Sequence, residues 1–143
     1  MEYSMSTQMR RFNLLVSEIE KSYHDVAQKL GLSDSAMLIL YTLSCWNGEC
    51  LLSDITSSAN KQTINSALRK LESDDIVCLN VFEGRKKKVH LTDKGKQFVK
   101  DTVLRLIKIE NAIFNSWSDE DKNTYIELTQ RYLTTFKEKI KEL

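Results

Sequence analysis

The chain has 143 residues, 41% of them hydrophobic and 29% charged, and a formal net charge of +1. That is the size and composition of one folded domain; it excludes a disordered polypeptide, and no run nears the eighteen or so consecutive apolar residues of a membrane span. The small total hides a segregation: residues 60–100 carry 10 Lys/Arg against 5 Asp/Glu, while 1–59 carry 4 against 7 and 101–143 carry 7 against 8, and a basic segment between acidic flanks points to an anionic partner.

The opening MEYSMSTQMRRF has no apolar core before a small-residue cleavage site, so no secretory signal is expected. Phe12, Leu15, Val16, Ile19, Tyr23, Val26 and Leu30 recur at steps of three and four, which predicts an amphipathic helix closed by Gly31. Ser33 can cap a second helix, SDSAMLILYTLSCW, apolar on most sides and therefore central, and Asn47-Gly48 ends it as a turn. LLSDITSSA (51–59) reads as a short helix. Asn60 then caps NKQTINSALRKLESDD, in which Ile64, Ala67, Leu68 and Leu71 face one way and Lys61, Gln62, Asn65, Arg69 and Lys70 another. IVCLNVF (76–82) and KVHLT (88–92) have strand character, joined as a hairpin through Glu83–Lys87 with Gly84 in the turn. Thr92 caps a helix predicted to run from Asp93 to about Trp117, and Ser118 with Asp121 opens a last one striped by Tyr125, Leu128, Tyr132, Leu133, Phe136, Ile140 and Leu143.

Two helices joined by a tight turn, the second polar and cationic outside, fit a helix-turn-helix. Asn60, Lys61, Gln62, Thr63, Asn65, Ser66 and Arg69 supply side chains that can bond base edges and phosphates in a major groove. The plain alternative for such a helix is a solvated surface. The basic hairpin that follows favours the first reading, because it has the form of a wing. Arg85 suits a narrow minor groove, where a weakly hydrated guanidinium meets enhanced negative potential, and Lys86, Lys87 and Lys88 would attract phosphates without reading sequence. The expected class is mainly α with a small β-hairpin: a winged helix-turn-helix flanked by long helices.

NKQTINSALRKLE in the recognition-helix position and GRKKKVHLTDKG, with its wing and "LT-x-x-G" passage into the next helix, resemble the MarR family of bacterial transcriptional regulators over nearly the whole chain. The resemblance implies one unit over 1–143, with a winged helix-turn-helix at 33–99 and helical dimerisation regions at 1–32 and 100–143. It implies a homodimer on a palindromic double-stranded operator, acting as a repressor released by an effector. It also implies that Glu83, in the place of the family's usual Asp, braces the wing and that Arg85 contacts DNA. Dimerisation has a physical motive as well, since any part of the terminal stripes left uncovered within one chain would be a costly exposed patch. Small aromatic acids or lipophilic compounds are the family's usual effectors. Tyr23, Trp46 and Trp117 have the right side chains for such a pocket, but aromatics at helical spacing are first of all core, and none is assigned to a ligand.

Cys45, Cys50 and Cys78 are an odd set without a disulfide framework, which suits a reducing cytoplasm, and buried thiols serve first as small hydrophobes. His24 and His90 are the only histidines and no Cys-x-x-Cys occurs, so no metal or other cofactor is expected. No Gly-rich phosphate loop or G-x-S-x-G supports an enzyme. The remaining rival is a winged helix whose basic wing binds an acidic protein, which salt-sensitive, sequence-selective DNA binding would exclude.

Overall fold

A computed structural model describes residues 4–57 and 61–143. The elements run α1 (Thr7–Lys29), α2 (Asp34–Cys45), β1 (Glu49–Leu51), α3 (Leu52–Thr56), α4 (Lys61–Ser73), β2 (Val77–Val81), β3 (Lys87–Leu91), α5 (Asp93–Asp101), α6 (Val103–Asn115) and α7 (Asp119–Ile140). The chain is mainly α with a small antiparallel sheet, the expected class. It divides into two compact units, Met1–Leu106 and Ile107–Leu143.

Local chemistry sets the helix ends. Ser33, Thr92 and Ser118 each accept a hydrogen bond from the backbone N–H three residues on, satisfying one of the orphan donors of a helix start. α1, α2 and α4 end alike, with one residue in the left-handed region: Gly31 (φ +70°), Asn47 (φ +58°) and Asp75 (φ +59°). In each case the next residue's N–H reaches back five positions, Leu32 to Ala27, Gly48 to Leu43 and Ile76 to Leu71.

The core of the first unit is built from α2 (Ile39, Leu40, Leu43), Ile55 of α3, the inner face of α4 (Ile64, Leu68, Leu71), Val77, Val89 and Leu91 of the sheet, and Val99, Val103 and Leu106. The apolar stripe read from the sequence for α4 is therefore its buried face. The sheet has the order β1-β3-β2, with Cys50 opposite Val89, and Val77 opposite Leu91.

Three expectations are corrected. A third strand, β1, lies where a turn and the start of a short helix were expected; Leu51 N–H donates to the Asp54 carboxylate at 3.1 Å, tying the strand to α3. That helix spans only Leu52–Thr56, and residues 58–60, including the proposed cap Asn60, lie outside the described residues. The helix expected from Asp93 to about Trp117 is broken at buried Thr102 (φ −123°, ψ −101°). Its hydroxyl donates to the Phe98 carbonyl at 2.9 Å and its N–H to Val99 at 3.2 Å, local bonding that competes with the regular helical ladder.

Within its own unit each terminal stripe is largely uncovered. On α1, Ala27 is buried and Val26 packs on the core, while Phe12, Leu15, Ile19 and Tyr23 are exposed. α7 has no buried residue along its 22 positions. In the second unit Phe114, Trp117 and Tyr125 form a cluster of edge-on rings with centroids 5.1–6.1 Å apart.

Candidate nucleic-acid interface

Burying Ile64, Leu68 and Leu71 leaves the rest of α4 outside: Lys61, Gln62, Thr63, Asn65, Ser66 and Arg69 are all exposed. Lys61, Asn65 and Arg69 follow at i, i+4 and i+8, so they form one row along the helix. This row borders a cleft of about 720 Å³ that the hairpin also lines, through Arg85, Lys86 and Lys87; Leu68 and Leu79 line it as well, and Glu72 is the one acid among its described lining residues. Five cations from two separate stretches of sequence thus share one cleft.

The hairpin tip is a tight turn. Lys86 N–H donates to the Glu83 carbonyl at 2.9 Å, and Phe82 N–H to the Lys86 carbonyl at 2.8 Å. Gly84 adopts φ +55° although a Cβ there would meet nothing within 4 Å, so conformation and not space requires the glycine. Arg85 follows it at the outermost part of the wing. The Glu83 carboxylate makes no ion pair among the described residues, and its backbone carbonyl accepts from Lys86 N–H.

The run of four cations is divided by the pleat. Lys87 faces the cleft, whereas Lys88, the next residue of β3, points to the other side of the sheet. There its ammonium ion-pairs with the Glu49 carboxylate and lies 4.9 Å from the centre of the Phe82 ring. The Lys88 ammonium, as hydrogen-bond donor and as neighbouring charge, holds the Glu49 carboxyl below its ordinary 4.5, and His90 adds to this. From sequence alone Lys88 stands with the phosphate-attracting lysines; its pairing with Glu49 is not visible there, because the three-residue strand that carries Glu49 is too short to show a period.

Among the described residues no cluster of His, Cys, Asp and Glu is placed to hold a metal ion, and no helix is long and apolar enough to cross a membrane. His24 pairs with Asp34 at 2.9 Å between α1 and α2, while His90 lies in β3. Cys45 is exposed, Cys78 half-buried and Cys50 buried. Burial, with a smaller contribution from the Asp54 charge, pushes the Cys50 thiol from 9.0 up to about 11. Because the folded value is the higher one, this thiol favours the fold below pH 9.0, and that contribution is lost as pH rises through about 11. With iodoacetamide at pH 8, mass spectrometry should find Cys45 carboxamidomethylated while Cys50 stays protected until denaturant is added. Equal labelling rates at the two would contradict a buried, protonated Cys50.

No protein-family profile and no curated protein matches the chain by sequence. Solved structures do match by shape. NMB1585, a MarR family regulator from Neisseria meningitidis, superposes with a TM-score of 0.82 at 18% identity, over 96% of this chain and 99% of that one. A MarR family transcriptional regulator from Silicibacter pomeroyi gives 0.70 at 18% identity over 90% and 89%. MepR of S. aureus, solved as a complex with DNA, gives 0.65 at 16% identity over 93% and 99%. At these identities the likeness is one of fold.

Proposed function

Since the chain has the fold of the MarR family regulators, we propose that it is a transcriptional regulator that binds a specific double-stranded DNA operator as a homodimer. The observation that carries this reading is the shared cleft, where the exposed row of α4 stands beside the basic wing. α4 is the right width to lie in a major groove, with Gln62, Thr63, Asn65 and Ser66 offering donors and acceptors to base edges. Lys61, Arg69, Lys86 and Lys87 neutralise phosphates, and Arg85 enters the flanking minor groove. MepR, of the same fold, is a DNA-bound precedent.

The homodimer is supported by the exposed stripes of α1 and α7, which a second copy would cover. Two-fold pairing would set two α4 helices about one helical turn of DNA apart, roughly 34 Å, and so select a palindromic site. In this reading 1–32 and 100–143 supply the dimerisation helices and 33–99 the DNA-binding part of a cytoplasmic repressor. An effector of the small aromatic acid or lipophilic class would release it by shifting the dimer between binding-competent and incompetent spacings.

Selecting bound fragments from genomic DNA, then titrating the recovered site at several salt concentrations, tests the reading. A preferred sequence is expected, with log affinity falling linearly against log salt. Lys86→Gln and Lys87→Gln should each flatten that slope by about 1 without changing the preferred sequence. Recovery of no preferred sequence would overturn DNA readout and favour an acidic protein partner.

A further inference from the structure

Beyond the DNA-facing residues, and resting on the DNA-binding reading, we propose that Glu49 is a positioning residue for the wing: it grips Lys88, which in turn grips Phe82, and so aims Arg85. The strand register shows why a grip is needed at this point. Lys88 is opposite Leu51 of β1 on one side and Asn80 of β2 on the other, and of the β3 residues with partners on both it is the one nearest the wing tip. Beyond it the wing is a two-stranded ribbon, with Val81 opposite Lys87 and then the turn. Such a ribbon is marginal alone and its twist is loosely specified.

The far face of the sheet supplies a tether across that step. Glu49 stands one strand over and diagonal to Lys88 on the same face, and the two ion-pair. Lys88 also lies over the ring of Phe82, 4.9 Å from its centre. Phe82 is the first residue past β2, and its N–H donates to the Lys86 carbonyl, closing the turn that holds Arg85. The contacts therefore run from the three-stranded part of the sheet, through one lysine, to the base of the turn. Lys88 is half-buried by these contacts (35% exposed).

The inference reverses the sign expected from charge alone. Removing an acid near a DNA-binding surface should strengthen binding through simple electrostatics. Glu49 acting as a tether makes the opposite prediction. In anisotropy titrations of the full chain on its selected DNA site, Glu49→Gln should bind about three- to tenfold more weakly. Lys88→Met should match it, the double variant should be no worse than either single one, and the salt slope should stay that of the unaltered protein. Lys88→Arg, which keeps both the charge for Glu49 and a cation for the Phe82 ring, should keep most of the affinity, and all variants should melt near the unaltered temperature. Amide exchange at Phe82 should quicken in Glu49→Gln.

Unchanged or tighter binding by Glu49→Gln would overturn the inference. A slope flattened by about 1 in Lys88→Met would also overturn it, returning Lys88 to a phosphate contact. These results leave the DNA reading standing, whereas failure of the unaltered chain to bind any duplex in a salt-sensitive way overturns both.

Discussion

Replacing Arg85 with alanine is expected to weaken operator binding by about 1–3 kcal/mol, roughly five- to 150-fold, with no change in melting temperature. The side chain projects from a turn whose geometry is held by the backbone bonds Lys86 N–H to Glu83 and Phe82 N–H to Lys86, and by Gly84 at φ +55°. None of these uses the guanidinium, so its removal leaves the wing built. Arg85→Lys separates charge from shape. A lysine keeps the phosphate attraction and most of the salt slope, but its strongly hydrated ammonium enters a narrow groove less readily. Its affinity should fall between the other two. Titration with the selected site and with a duplex of altered flanking sequence measures both; an alanine variant within twofold of the unaltered chain would remove Arg85 from the interface.

Gly95→Ala should unfold the winged unit more easily, although alanine is the better helix former by about 1 kcal/mol. Gly95 lies in the first turn of α5, where an added Cβ would overlap the Ile76 carbonyl oxygen, stand 3.0 Å from its carbon and 3.3 Å from the Thr92 hydroxyl. That carbonyl is already pinned, accepting from Thr92 N–H at 3.1 Å and from the Thr92 hydroxyl at 3.2 Å, so it has little freedom to retreat. The Thr92 hydroxyl also caps Gly95 N–H at 2.9 Å and reaches the Asp75 carbonyl. Overpacking against fixed backbone costs about 1–3 kcal/mol, which lowers the melting temperature by roughly 3–9 °C in a chain of this size. Helix propensity and steric overlap predict opposite signs, so thermal unfolding decides between them, and a raised melting temperature would show that the backbone yields. The turn at Asp75 and Ile76 joins α4 to β2, so loosening it should also cost DNA affinity.

The same contacts explain why LTDKG was readable as a motif. Threonine is there to cap the helix and bond the turn after α4, and glycine is there because the two backbones meet. Much else was legible for equally local reasons. The caps at Ser33, Thr92 and Ser118, the turns at Gly31 and Asn47-Gly48, and the buried face of α4 all depend on neighbours within about five residues along the chain. The hairpin was placed to within one residue at each strand end, because alternation and Gly84 are local too.

What escaped the sequence depends on partners distant in it. β1 is three residues long and exists because β3 offers it a ladder; no period can show in so short a run. The split of Arg85, Lys86, Lys87 and Lys88 between two faces follows from register and from Glu49, contributed by a strand nearly forty residues earlier. The break at Thr102 arises where a buried hydroxyl bonds its own helix, a choice that periodicity does not record. By itself, then, the sequence determined the helical segments and the hairpin strands, the apolar face of the amphipathic helices, and that the central third is the basic one, since those properties follow from spacing and composition; β1 and the break at Thr102 did not follow from them. Only the tertiary structure decided which cations stand together in the cleft and which one is tethered away, because that depends on strand pairing across the sheet, where one step along a strand reverses the direction of a side chain.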